Sequence, residues 1–213
     1  MCPAVAGIVH GPGPDADQVA DLVRVALEVH DTRTVVELVA ERRLELGIVG
    51  AAPRHRGVRY EPFAHDEVVL VCPPGHRFSG RDVDVHELAG ETLVVMQEGA
   101  GVRRIVEDEL RRLGLRLRDL EVRLELGLQE SVRSAVLAGY GVTFISRAAV
   151  DADLAAGALA EARIVGMNGR REISLARGTG RVASRIGDAF VDFARSRTAA
   201  PASASTRERP RPA

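Results

Sequence analysis

The chain has 213 residues, 46% hydrophobic but only 3% aromatic, with a formal net charge of −1. That is enough apolar content for one large domain or two small lobes with an aliphatic core. The near-zero charge excludes a global electrostatic attraction to nucleic acid or to an anionic membrane. All 29 basic side chains are arginine, which excludes a Walker A phosphate loop, a Schiff-base lysine and a lysine general base. Cys2 and Cys72 make no disulfide framework, so a reducing compartment is expected. Ala4 to Val9 is too short for a signal peptide, and no stretch is long enough to span a bilayer; a cytoplasmic protein without membrane contact is the expectation.

Residues 1–21 are rich in Pro and Gly with weak periodicity, and are expected to be irregular. Leu22 to Val29 alternates as a strand. Thr32 to Arg43 has helical spacing through Val35, Val36 and Val39, with Asp31 or Thr32 as N-cap. Leu46 to Val49 reads as a short buried strand, and this strand-helix-strand order predicts a parallel pair. Glu67–Cys72 is a strand stopped by Pro73-Pro74-Gly75, Val83–Leu88 a short helix or turn, and Thr92–Met96 a strand. Gly99-Ala100-Gly101 opens a helix running to about Leu113, with Ile105, Val106, Leu110 and Leu113 on its apolar side.

The most informative stretch is Glu125 to Arg147. A strand from Leu120 to Leu126 is followed by a helix whose Val132, Val136 and Leu137 are predicted to face inward with Ala135 and Ala138. Gly139-Tyr140-Gly141 stops that helix, and Val142, Phe144 and Ile145 supply a second strand. Such a unit aims a helix N-terminus at whatever sits beyond the strand ends, a ready place for an anionic or polar ligand. Leu154–Leu159 reads as a short bent helix and Arg171–Ala176 as a strand. Ser184 to Arg197 is a last helix with Ile186, Ala189, Phe190 and Phe193 inward. The Ala/Ser/Pro/Arg tail, 198–213, is expected to be disordered.

The phrases TVVELVAERRLELGIVG (34–50), FAHDEVVLVCPPGHRF (63–78), EGAGVRRIVEDELRRLGL (98–115), QESVRSAVLAGYGVTFISRAAV (129–150) and REISLARGTGRVASRIGDAFVDFAR (171–195) fall in one order. In that order they resemble the effector-binding domain of LysR-type transcriptional regulators, over roughly residues 22–197. The resemblance implies an α/β, periplasmic-binding-protein-like fold of type 2: two lobes joined by two crossing strands, with a small effector in the cleft between them. Lobe I is then expected over 22–66 plus 176–197, and lobe II with the crossing strands, near 67–71 and 172–175, over 67–175. It also implies a homodimer, control of transcription, and DNA contact only through a winged-helix domain outside these residues. The family's first central strand and its Ser/Thr-bearing helix start would precede Leu22, so lobe I is expected to be shortened at its N-terminus. In the glycine-rich turn, where a branch of the family places Ser and Thr, this chain has Ala100 and Val102.

The residues themselves offer several candidates for ligand contact. Gly99-Ala100-Gly101-Val102-Arg103 can present backbone N–H groups at a helix start, with Arg103 adding charge; an ordinary glycine turn explains the same motif. Gln129, Glu130 and Ser131 open the next helix, either toward a polar ligand or as plain caps. Thr143 can point its hydroxyl into the cleft or serve as a buried strand residue. Gly50 and Ala51 end the LGIV strand where the family's cleft lines lobe I, or form a plain loop. Cys72 and His76 lack the partner pair that a zinc site needs; a buried strand thiol and an exposed turn histidine are expected instead. No nucleophile elbow, zincin motif or dinucleotide fingerprint is present. We therefore expect no catalysis, no metal and no cofactor, and an effector that is a small anion or carboxylate. The alternative is a shortened, non-sensing chain that pairs with full-length regulators.

Overall fold

The computed structural model describes residues 4–8, 25–180 and 184–198. The irregular segment expected over 9–21, residues 22–24 of the first predicted strand and the tail after Thr198 lie outside the described residues. The described residues through Gly180 form one compact unit; helix α5 (Arg185–Thr198) belongs to a second and is described by itself. In α5, Ile186 and Phe190 are half-buried, but Ala189 and Phe193, expected inward, are exposed.

The first compact unit holds two hydrophobic cores. The smaller one is built by helix α1 (Thr32–Ala40), whose Val35, Val36 and Val39 recur on one face and pack with Leu44, Val49, Val58 and Ala176. Beside it runs the strand order β2 (Val25–His30), β1 (Ala4–Ile8), β3 (Leu46–Val49), β10 (Arg170–Gly178) and β4 (Val58–Cys72). Two expectations change here. Ala4–Ile8 is a strand rather than irregular: its pairing with β2 and β3 uses backbone groups, and the Gly/Pro cluster starts only at Gly11. In consequence β2 and β3 are not the direct parallel pair that their order predicted, because β1 lies antiparallel between them.

The larger core gathers around β6 (Thr92–Met96), β7 (Glu121–Leu126) and β8 (Thr143–Ser146), with helices α2 (Gly101–Arg112) and α3 (Gln129–Leu137) against them. β6 and β7 pair in parallel, and Leu93 bridges in parallel to Val142 at the start of β8. Their C-terminal ends therefore share one edge, from which α2 and α3 depart, the arrangement that places ligands beyond strand ends in open α/β sheets. Val132 and Val136 of α3 are fully buried, whereas Leu137 and Ala138, expected inward, are exposed. Ala135, also expected inward, is half-buried against this core. At Gly141 the backbone has φ of 143°, and a Cβ would lie 2.2 Å from the Thr92 carbonyl oxygen, so only glycine lets β8 come in beside β6. The short helix α4 (Asp151–Ala155) and strand β9 (Ala160–Ile164), which pairs with β4 and with β5 (Asp82–Val83), complete this core.

β4 and β10 connect the two cores. β4 is far longer than the six residues expected. Its first part, Val58 to Glu67, pairs with β10, and its last five residues, Val68 to Cys72, are all buried between β8 and β9. A continuous buried apolar run is how a strand covered on both faces reads. The first part carries Pro62 and five charged or histidine side chains, which hid it as a strand. Pro62 is accommodated because the register with β10 slips beside it, Ala64 facing Ile173 and Pro62 facing Ser174.

Candidate functional site

A cleft of about 770 Å³ opens between the start of α1, the loop after β3 and the start of α2. From α1 it is lined by Thr32, Arg33, Val36 and Glu37, and from the loop by Ala51, Pro53, Arg54 and His55. From the third side come Glu98, Gly99, Gly101, Arg103, Arg104 and Glu107. The two helix starts come close: a Cβ on Gly99 would lie 3.8 Å from the Asp31 carboxylate.

At α1 the N-cap is Asp31, as expected. Its Oδ1 accepts the Thr34 N–H at 3.1 Å and its Oδ2 the Thr34 hydroxyl at 2.7 Å. Burial alone pushes this carboxyl up, but the hydrogen bonds from Thr34 and Arg33 outweigh it and hold it below the ordinary value. The N-cap of α2 is Ala100, and no side chain caps this helix. Its first-turn N–H groups and the positive end of its dipole are thus available to an acceptor.

The charges along the cleft nearly balance. Arg103 is spent within the protein: its Nε donates to Glu107 at 2.8 Å, and its Nη1 to Glu125 at 2.6 Å and to the Met96 carbonyl at 3.0 Å. The charge that the motif was expected to add at the helix start is therefore already paired within the protein. Arg33, Arg54 and Arg104 form no ion pair among the described residues, and they face Glu37 and Glu98. The surplus is about one positive charge plus roughly half a charge from the α2 dipole.

Of the candidates read from sequence, Ala51, Gly99, Gly101 and Arg103 line this cleft. Gly50 and Ala100 adjoin it; Ala100, like Val102, is almost fully buried, and both side chains belong to the larger core. The absent turn hydroxyls are therefore replaced by packing. Gln129 is turned inward, its Oε1 accepting the Ser146 N–H at 3.1 Å, but Glu130 is exposed and pairs with Arg133, and Ser131 is exposed. None of the three caps α3, whose N-cap is Leu128. Thr143 has no exposed surface, and its hydroxyl donates to the Phe144 carbonyl at 3.3 Å, so it does not point into the cleft. Burial pushes the Cys72 thiol up to about 11, with Glu91 adding to the effect. His76 is half-buried against Glu91 rather than exposed, and no group of metal-ligating side chains occurs among the described residues.

Thr32, Arg33, Arg54, His55 and Arg104 were missed. The Asp31-Thr32 step was legible as a helix start, and it supplies from α1 the kind of hydroxyl-bearing start expected only before Leu22.

A sequence model of the LysR substrate binding domain matches residues 17–199. The chain is 33% identical over 172 residues to the phosphonates import ATP-binding protein PhnC of Anaeromyxobacter dehalogenans, covering 81% of this chain and 34% of that protein. ATP binding is not carried over by so partial a match, least of all to a chain that has no lysine. It is 27% identical over 178 residues to the RuBisCO operon transcriptional regulator of Allochromatium vinosum, covering 83% of this chain and 58% of that one. The chain thus spans between a third and three-fifths of the length of these relatives. Among solved structures, the regulatory domain of Synechocystis PCC6803 CcmR in complex with 2-PG superposes with a TM-score of 0.76 at 24% identity, over 86% of this chain and 87% of that one. The fold is that of a periplasmic-binding-protein-like type 2 domain, and the chain belongs to the LysR substrate-binding domain family.

Proposed function

We propose that this chain is the effector-sensing part of a LysR-type transcriptional regulator, and that it takes a small anion into the cleft between the starts of α1 and α2. The observation that carries this reading is the uncapped start of α2 facing a 770 Å³ cleft beside three arginines that form no ion pair among the described residues. An oxyanion there satisfies first-turn N–H groups and offsets the surplus positive charge. Because Glu37 and Glu98 also face the cleft, the fit is to a small organic acid that carries hydroxyl or other donor groups. The CcmR domain in complex with 2-PG and the RuBisCO operon regulator support this reading. Ligand held between the lobes stabilises one setting of the crossing strands β4 and β10, and in a homodimer that population shift reaches a DNA-binding part. A cytoplasmic location belongs to the same reading, and no cofactor or catalytic step is needed for it.

Thermal melting of the chain with 2-phosphoglycolate, inorganic phosphate and a panel of small carboxylates tests it. A ligand at a hundred times its dissociation constant adds about 2.7 kcal/mol, a clear rise in melting temperature. A sharp melt that none of them moves overturns the sensing role and leaves the non-sensing pairing partner.

A further inference from the structure

Under the cleft lies a buried arginine with part of its fork unused. Arg171, on β10, faces Asp66 of β4 in register, and its side chain is 4% exposed. Its Nε donates to Asp66 Oδ2 at 2.7 Å; Nη2 lies 2.6 Å from the same oxygen but is poorly aligned to donate and has no other acceptor among the described residues. Asp66 Oδ1 accepts the Ser146 hydroxyl at 2.8 Å, and the Ser146 N–H goes to Gln129. Asp66 is therefore locked by both oxygens, and it holds the guanidinium from one side.

The Nη1 side of the guanidinium lies against Gly50 and Gly101. A Cβ built on Gly50 would lie 2.6 Å from Arg171 Nη1, and one built on Gly101 3.5 Å from it. Nη1 thus sits where the end of β3 meets the first residue of α2, and Gly101 itself lines the cleft. Nη1 makes no hydrogen bond with a described residue. A buried guanidinium has five N–H donors to satisfy, and leaving a charged group of this kind incompletely paired is costly. Its planar fork suits an oxyanion better than a lone carbonyl.

We propose that Arg171 is a binding residue of the effector cleft, with Nη1 donating to an oxygen of the bound anion between Gly50 and Gly101. Asp66 and, behind it, Ser146 are positioning residues that fix the guanidinium. Gly50 lacks a side chain because the guanidinium occupies that space. The inference rests on the reading of the cleft as an anion site.

Titration calorimetry of the 213-residue chain with 2-phosphoglycolate and with inorganic phosphate tests it. Arg171→Met is made together with Asp66→Asn, so that no unpaired carboxylate is left buried, and Gly50→Ala is made separately to push the guanidinium aside. Each is expected to weaken binding about 10- to 100-fold, the worth of one charge-assisted hydrogen bond. Adding Gly50→Ala to the Asp66→Asn/Arg171→Met chain is expected to cost nothing more, since its target is gone. Binding by the Asp66→Asn/Arg171→Met chain within twofold of wild type overturns the assignment and leaves the cleft reading standing. If that variant does not fold, Gly50→Ala and Arg171→Lys decide, and unchanged affinity in both overturns it. A wild-type chain that takes up neither these anions nor any small carboxylate of the melting panel overturns the cleft reading and this inference together; a carboxylate that does bind serves as the probe for the same variants.

Discussion

The two helix starts that face each other across the cleft solve the same problem in opposite ways. Every helix leaves its first N–H groups without partners. At α1 the chain answers internally, with Asp31 gripping both the backbone and the hydroxyl of Thr34. At α2 it does not answer at all: Ala100 has no capping group, and its methyl is spent on the larger core. α1 is thus closed and brings a carboxylate close to the cleft, while α2 is open and donates. On the proposed reading, the difference gives an anion one strong seat, on the α2 side, with α1 setting how near the opposing negative charge comes.

The largest expected effect comes from filling that seat. Gly99 has φ of 83°, a conformation that Asp and Asn tolerate better than other side chains, and it lies beside Asp31. Gly99→Asp is expected to weaken anion binding by about 2 kcal/mol, roughly 30-fold, through like-charge repulsion, while Gly99→Asn stays close to wild type. Equal losses in both variants would show that shape rather than charge governs the α2 side. Next, Asp31→Ala is expected to lower stability by about 1 kcal/mol by uncapping α1, and to tighten anion binding slightly. Its dependence on pH has a definite sign. The Asp31 carboxyl is held below its ordinary value of 3.8, so its contribution is fully present above that value and is lost as pH falls through the lower folded one. Melting curves of wild type and Asp31→Ala should therefore differ at pH 7 and draw together below about pH 4. The smallest effect is expected at exposed Arg104, where Arg104→Gln costs about 0.5 kcal/mol of anion affinity, a loss that shrinks further as salt is added.

The elements with strong local signals were legible in the sequence. β6 has the predicted bounds, α2 falls within a residue or two of its prediction, and the Gly139-Tyr140-Gly141 stop is where it was placed. What escaped was whatever depends on distant partners. The first part of β4, with Pro62, His65 and several charges, becomes a strand only because β10 lies alongside it. β9, whose AEARI has two charges in five residues, is likewise recruited by β4 and β5. At the cleft, the glycine turn announced itself by composition. Arg33, Arg54 and Arg104 looked like any arginine in a chain whose only basic residues are arginines. That the charge of Arg103 is paired escaped for the same reason, since Glu125, one of its partners, arrives from β7.

The position of β10 has a consequence for how the chain comes into being. It lies between β3 and β4, hydrogen-bonded to both, yet it is encoded after every strand of the larger core. During synthesis, β6 to β9 can collapse around the end of β4 as soon as they have left the ribosome. β3 and the first part of β4 must meanwhile wait with their facing edges open. The lobe that is begun first is thus finished last, and for that interval its bare strand edges are where a nascent chain of this kind is most exposed to mispairing with another.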